Sequence, residues 1–208
     1  EIFQEHITPD VITTKKDGAW VVELNPEINP KIKINKMYEG LLSNVKNKKD
    51  LEYIKSNLQD AKFFLKALNN RNLTIHRVAK VLMKKQEDFL THGEIALKPL
   101  VLRDISSILN LHESTISRST SNKYIQTPRG VYELKYFFSS EIRTDYGKKL
   151  SSITIKEMIK KLINNEDARS PLSDSQISKS FSDNGIKVAR RTITKYRESM
   201  GILSSTDR

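Results

Sequence analysis

The stretch "VARRTITKYRESMG", Val188 to Gly201, decides how this chain is read. It carries four bases against one acid, with apolar residues set between the bases. Laid on a helix, Ala189, Ile193, Tyr196 and Met200 share one side, at spacings of four, three and four, and that side is expected to pack inward. Arg190, Thr194 and Arg197 form one outward row, and Arg191 and Lys195 form another. Gly201 stands where a left-handed cap would end the helix. No acid occurs between Ile186 and Arg197. A helix that is merely solvated usually mixes Glu with Lys at i,i+4. An all-basic outer face suits a helix entering a DNA groove, where an Arg fork matches O6 and N7 of guanine. Lys and Thr there hold phosphates and fix register.

The rest of the chain is consistent with a polyanionic partner. Its 208 residues suffice for one domain or two small ones. Lys and Arg number 36 against 25 Asp and Glu, a net charge of +11, which makes nucleic acid the leading partner class. There is no cysteine, so disulfides and cysteine-ligated zinc are excluded and a reducing compartment is permitted. No apolar run approaches the ~18–20 residues of a membrane span, and no signal peptide is visible. The chain opens at Glu1 without a start methionine, which reads as a fragment.

Two short strands are expected near the start, "AWVVEL" (Ala19 to Leu24) and "KIKIN" (Lys31 to Asn35), separated by the turn-rich "NPEINP". From Leu41 to His92 there is neither Gly nor Pro, and Leu58, Ala61, Leu65 and Leu68 fall at helical spacing, as do Val78, Leu82 and Phe89. Either one long helix runs from a cap at Asn57 to Thr91, or the pair Asn69-Asn70 divides it. Its bases, among them Lys62, Lys66, Arg71, Arg77 and Lys80, read as a solvated surface. Beyond Pro99, Leu102, Ile105 and Leu109 make a short stripe, "NLHES" a tight capped turn, and Ile116 opens a second helix rich in Ser, Thr and Arg. Two short helices joined in this way form a helix-turn-helix pattern. The aromatic run "VYELKYFF" (Val131 to Phe138) reads as a core cluster behind those helices rather than a platform for bases. Residues 139–152 read as a polar linker. A second unit follows, with helices from Ile155 and from the capping box Ser173…Gln176, a turn at Gly185, and then the opening stretch.

Other chemistry finds no support. His6, His76, His92 and His112 lack metal-ligand spacing, and "GKK" at Gly147 lacks the rest of a phosphate loop. Glu166 and Asp167 lie in a polar stretch and read as solvated. No cofactor, metal or catalytic set is expected. The rival readings are a dimeric helix-turn-helix repressor and a DNA-processing enzyme.

The ten residues "ARRTITKYRE" (Ala189 to Glu198) resemble the RpoN box of the sigma-54 family of bacterial RNA polymerase sigma factors, departing from its usual form at Ile193 and Thr194. "PLVLRDI" (Pro99 to Ile105), "LHESTISR" (Leu111 to Arg118) and "TPRGVYELKYFFSS" (Thr127 to Ser140) resemble other stretches of that family. The resemblance implies a mainly α fold: a long helix plus helix-turn-helix domain (51–138), a linker (139–152), and a small three-helix helix-turn-helix domain (153–208). Residues 1–50 would be the tail of the core-binding region. It implies that Arg190, Arg191, Lys195 and Arg197, on a helix shared with Thr192, Thr194 and Tyr196, read the upstream GG-containing (conventionally −24) promoter element. Arg118, with Ser114, Thr115 and Ser117, would lie on the helix reading the downstream (−12) element. Implied partners are double-stranded promoter DNA, RNA polymerase core (largely through regions this chain lacks) and, for a full-length protein, an AAA+ activator. No membrane is implied, and the place is the bacterial cytoplasm.

Overall fold

Asp17 and Gly18 both take positive φ, 50° and 82°. Two such residues in succession make the tight turn whose twist matches a β-hairpin. It joins β1 (Val11–Lys16) to β2 (Ala19–Leu24) in antiparallel register, with Thr14 opposite Val21. The computed structural model describes residues 7–28, 32–41, 47–139, 141–143, 149–167 and 170–208.

"KIKIN" is not a strand. Lys31 lies outside the described residues, and Ile32 to Asn35 form no regular element. The Asn35 side chain accepts from the Met37 amide at 3.0 Å and so starts the helix α1 (Lys36–Leu41). The capping chemistry of Asn35 prevails over the alternation before it.

The long helix is real, and longer than its expected cap allows. α2 (Lys48–Lys85) runs unbroken for 38 residues through Asn69 and Asn70. Asn47 caps it, accepting from Lys49 N at 3.1 Å, whereas Asn57 is interior and donates back to the Tyr53 carbonyl. The helix stops at Gln86. This fully buried amide donates to Lys98 O at 2.7 Å and accepts from Lys98 N at 2.9 Å. The chain turns there into α3 (Glu87–His92). Every buried residue of α2 lies between Ile75 and Met83. The bases expected to be solvated are exposed.

A 3₁₀ turn (Glu94–Ala96) leads to α4 (Leu102–Leu109), whose first turn is closed by Asp104 accepting from Val101 N at 3.0 Å. Asn110 takes φ 52°, ending α4 in the left-handed region. α5 (Glu113–Thr120) starts three residues before the expected Ile116, because His112 caps it by accepting from Ser114 N at 3.2 Å. Next come β3 (Tyr124–Thr127) and β4 (Gly130–Glu133). The sheet order is β2-β1-β3-β4, with β1 parallel to β3. Asp10 ties the two hairpins together, accepting from Lys123 Nζ and Tyr124 N, each at 3.0 Å. The hairpin ahead of residue 50 therefore shares one core with α2, α4 and α5: Val11, Leu82, Ile105, Ile116 and Ile125 are all fully buried in it. The aromatic run sits in the same core, with Phe89 packed edge-on to Tyr132 at 5.3 Å and to Phe137 at 5.1 Å.

The expected linker contains structure. Ser139 bridges to Leu100, and β5 (Glu141–Arg143) pairs antiparallel with β6 (Lys149–Ser151). Gly147 lies outside the described residues. The stretch is polar, but its backbone pairs with itself. Beyond it, α6 (Ser152–Asn164), α7 (Asp174–Asp183) and α8 (Arg190–Ser199) enclose a second core of Ile155, Ile159, Ile177, Phe181 and Ile193. The capping box is present, with Ser173 accepting from Gln176 N and Gln176 accepting from Ser173 N. Glu166 is not solvated. Its side chain is 8 % exposed and holds Arg208 at 2.8 Å, an ion pair that fastens the C-terminal segment to the second unit. The chain is thus mainly helical with a small sheet, and among the described residues no helix is long and apolar enough to cross a membrane.

Candidate nucleic-acid interface

The opening stretch is a helix that ends as its glycine requires. Gly201 takes φ 71°, its N–H donates to Glu198 O at 2.9 Å, and the Ile202 N–H donates to Arg197 O at 3.2 Å. That pair of bonds is a Schellman closure. Inward packing is carried by Ile193, fully buried, with Tyr196 and Met200 half-buried against the same core. Ala189 does not face inward. It is exposed and stands at the N-cap, outside the helical turn that would have placed it.

Arg197 corrects the expected outward row. It is 5 % exposed and lies four residues after Ile193, on the same buried face. Its guanidinium donates from Nε to Asp174 Oδ1 at 2.9 Å and from Nη2 to Oδ2 at 3.2 Å, and Nη1 donates to Ile202 O at 2.7 Å. The two-pronged geometry is the one that an Arg fork and a carboxylate favour. Thr194 completes the set, its hydroxyl lying 2.8 Å from Asp174 Oδ2 and 3.1 Å from Arg190 O. Burial pushes the Asp174 carboxyl up, but the hydrogen bonds from Arg197 and Thr194 outweigh it and hold the group below its ordinary value. Arg197, bonded to Asp174, is held above its own ordinary value against the cost of burial. These two side chains fasten α8 to α7. Ser178 adds a third tie, donating to Val188 O at 2.8 Å just ahead of the helix.

What remains outward is narrower than the sequence suggested. Arg190, Arg191 and Lys195 are exposed, and their side chains meet no partner among the described residues. Thr192 is half-buried. Tyr196 has the Lys156 ammonium 5.5 Å from its ring centroid, so one face of the ring is covered. The first turn of α8 holds no acid, and no side chain caps it. A helix N-terminus with bare N–H groups and two arginines is complementary to an anion.

On the first unit, α5 presents a different surface. Arg118 is exposed, while Ser114, Thr115 and Ser117 are half-buried. Ser114 Oγ lies 2.8 Å from His112 Nδ1, inside the cap, and the Thr115 and Ser117 carbonyls accept from Ser119 and Ser121 hydroxyls within the helix. Sequence reasoning missed His112 as a cap and Asp174 as the anchor of α8. The first was signalled by its place directly before "ESTIS". The second had no local signal, because Asp174 and Arg197 are 23 residues apart.

Two family models match the chain. One described as "Sigma-54, DNA binding domain" covers residues 51–208, and one described as "Sigma-54 factor, core binding domain" covers residues 2–38. Relatives named RNA polymerase sigma-54 factor include that of Shewanella violacea, 50 % identical over 204 residues, and that of Vibrio anguillarum, 51 % identical over 204 residues. Each of these alignments takes in 98 % of this chain and 42 % of the relative. The Escherichia coli protein of the same name is 47 % identical, with 43 % of its length covered. The crystal structure of Aquifex aeolicus sigmaN bound to promoter DNA superposes with a TM-score of 0.61 at 34 % identity, over 96 % of this chain and 59 % of that one. The chain thus spans less than half the length of these curated relatives. With most of its length matched by the DNA-binding model, and its opening hairpin by the core-binding one, the chain belongs to the sigma-54 family.

Proposed function

We propose that this chain is the promoter-reading portion of a sigma-54-type transcription initiation factor. The observation that carries this is the first turn of α8, where Arg190 and Arg191 stand exposed at an uncapped helix N-terminus. Recognition helices of helix-turn-helix proteins contact base edges with just those residues. In this reading α7 and α8 form one helix-turn-helix, and α8 reads the upstream GG-containing (−24) element of double-stranded promoter DNA. Arg190 and Arg191 supply forks to guanine, and Lys195 and Thr192 hold the backbone. Arg197 orients the helix from its buried side. α4 and α5 form the second helix-turn-helix, with Arg118 and the α5 hydroxyls at the downstream (−12) element. The binding of core polymerase, and the response to an AAA+ activator, belong to the larger protein of which this chain corresponds to a part.

The two exposed helices differ in sequence and in cap, so an asymmetric site is favoured over the palindrome that a dimeric repressor would read. Titration against duplexes carrying both elements, either alone, or neither tests the reading. Affinity is expected to fall when either element is scrambled. Equal binding to all four duplexes would sink it, and strand cleavage in magnesium would favour a DNA-processing enzyme.

A further inference from the structure

The two units meet at a buried polar joint. Thr154, in the first turn of α6, has no exposed surface. Its hydroxyl lies 3.0 Å from Leu97 O and 3.2 Å from Glu94 O, both carbonyls of the first unit. Ser151, equally buried, caps α6 by accepting from Thr154 N at 2.9 Å, and its hydroxyl meets the Thr154 hydroxyl at 2.8 Å. Every proton in this set has an acceptor: Ser151 donates to Thr154, and Thr154 shares its single proton between the two carbonyls. Ile153, beside it, packs into the first core, whereas Ile155 belongs to the second. On the far side, burial of Tyr136, with the Glu94 carboxyl close to it, holds the phenol far above its ordinary value.

We propose that this joint sets the relative orientation of the two DNA-reading helices, so that the distance between promoter elements is measured by the chain itself. The proposal rests on the promoter reading above. A hydroxyl buried at an interface with two carbonyls is costly to separate, because opening the interface exposes all three to competition and closing it wrongly leaves them unpaired. The described parts of the connection are tied down as well: Ser139 bridges to Leu100, and β5 pairs with β6. Two grooves on one duplex come back into line only every ~10–10.5 base pairs. A fixed joint can serve one spacing and not a spacing half a turn longer.

The test compares the chain with its Thr154→Val variant, which keeps the side chain's shape and deletes the hydroxyl. Both are titrated against duplexes with the natural spacing, with about five base pairs inserted (half a turn), and with each element alone. For the unaltered chain the insertion is expected to lower affinity by about 100-fold, toward that of one element. In Thr154→Val the penalty should shrink to a few-fold at most, the mild decline of a flexible tether, with single-element affinities unchanged. Because the chain has no cysteine, spin labels at Ser107→Cys and Lys179→Cys report the orientation directly: a narrow distance distribution in the unaltered joint, a broad one in the Thr154→Val background. A spacing penalty that is absent from the unaltered chain, or undiminished in Thr154→Val, overturns the proposal whatever the distances show. A narrow distribution in a chain that prefers neither element alone would strike the promoter reading, while leaving the joint itself supported.

Discussion

The N-termini of α7 and α8 follow opposite rules. At α7, Ser173 and Gln176 exchange hydrogen bonds in a capping box, and Asp174 places a carboxylate in the first turn. At α8, the cap is alanine with no side-chain bond, and the first turn carries Arg190 and Arg191 with no acid. Alanine in place of Ser or Asp at an N-cap costs about 0.5–2 kcal/mol. A base in the first turn opposes the helix dipole by about 0.3–1 kcal/mol. α8 therefore forms because it is fastened from below, by Ile193, Thr194 and Arg197, and not because its own start favours it. The exposed end of a helix held this way is available for an anion. The N-terminus of α5 follows the α7 rule, with His112 as cap and Glu113 in the first turn, so its exposed base, Arg118, stands further along the helix.

The comparison can be broken most severely from the buried side. Arg197→Ala leaves Asp174 without its charged partner, and removing one member of a buried ion pair costs about 3–5 kcal/mol. Denaturant unfolding should show that loss, and DNA binding should fall with it. Arg197→Lys should rescue little, since a lysine cannot make the two-pronged contact. From the exposed side, Arg190→Ala or Arg191→Ala should cost about 1–3 kcal/mol of binding, confined to the upstream element. Neither should destabilise the fold, because each removes a base from the positive end of a helix. A drop in unfolding free energy matching the drop in binding would mean that these arginines hold structure instead.

Ala189→Asp sharpens the contrast. It supplies the missing cap and should stabilise the second unit by about 0.5–2 kcal/mol, while its carboxylate competes with phosphate and weakens DNA binding. Raised stability with unchanged affinity would show that no anion approaches this end. A smaller effect is expected at Lys195. Lys195→Ala should weaken all sequences alike and reduce the salt slope of binding by about one. The mildest is a pH effect. Because Asp174 is held below its ordinary 3.8, its contribution to stability is complete above that value and fades as the pH falls through the lower, folded-state one. Acid titration of the unfolding midpoint should show this fade, and Arg197→Ala should lose it.

The sequence allowed the helical period of α8 to be read, along with its closing glycine, the capping box of α7 and the existence of α2. All of these are local, written within a few residues. Some errors were local, where a capping side chain overrode the expected pattern, as at Asn35, Asn47 and His112; the others arose where a partner lies far along the chain. Arg197 was placed outward because it is charged, although its spacing from Ile193 already put it on the buried face; what made burial tolerable was Asp174, 23 residues away. Glu166 looked solvated for the same reason, since its partner Arg208 is 42 residues on. β1 went unnoticed although its hairpin partner β2 is next to it and Asp17-Gly18 marks the turn locally; what lay out of reach was its pairing with β3, more than a hundred residues distant. The end of α2 was hidden because Gln86 breaks the helix by bonding to Lys98, not by any turn residue. At the site itself, which residues sit on the exposed helix was legible, and which of them are free to face a ligand was not.

The uneven grip on α2 has a mechanical consequence. Its buried residues begin at Ile75, so the 27 residues from Lys48 to Thr74 stand clear of the core. At 1.5 Å per residue that arm is about 40 Å long. The clamped end works as a fulcrum: a tilt of about 10° at Ile75 sweeps Lys48 through roughly 7 Å, by the same helical rise. The clamp itself is the layer that carries α4 and α5, so a push at the far tip is a torque on that layer. The free arm of α2 thus gives leverage: a small tilt where the helix is clamped becomes a large displacement at its far end.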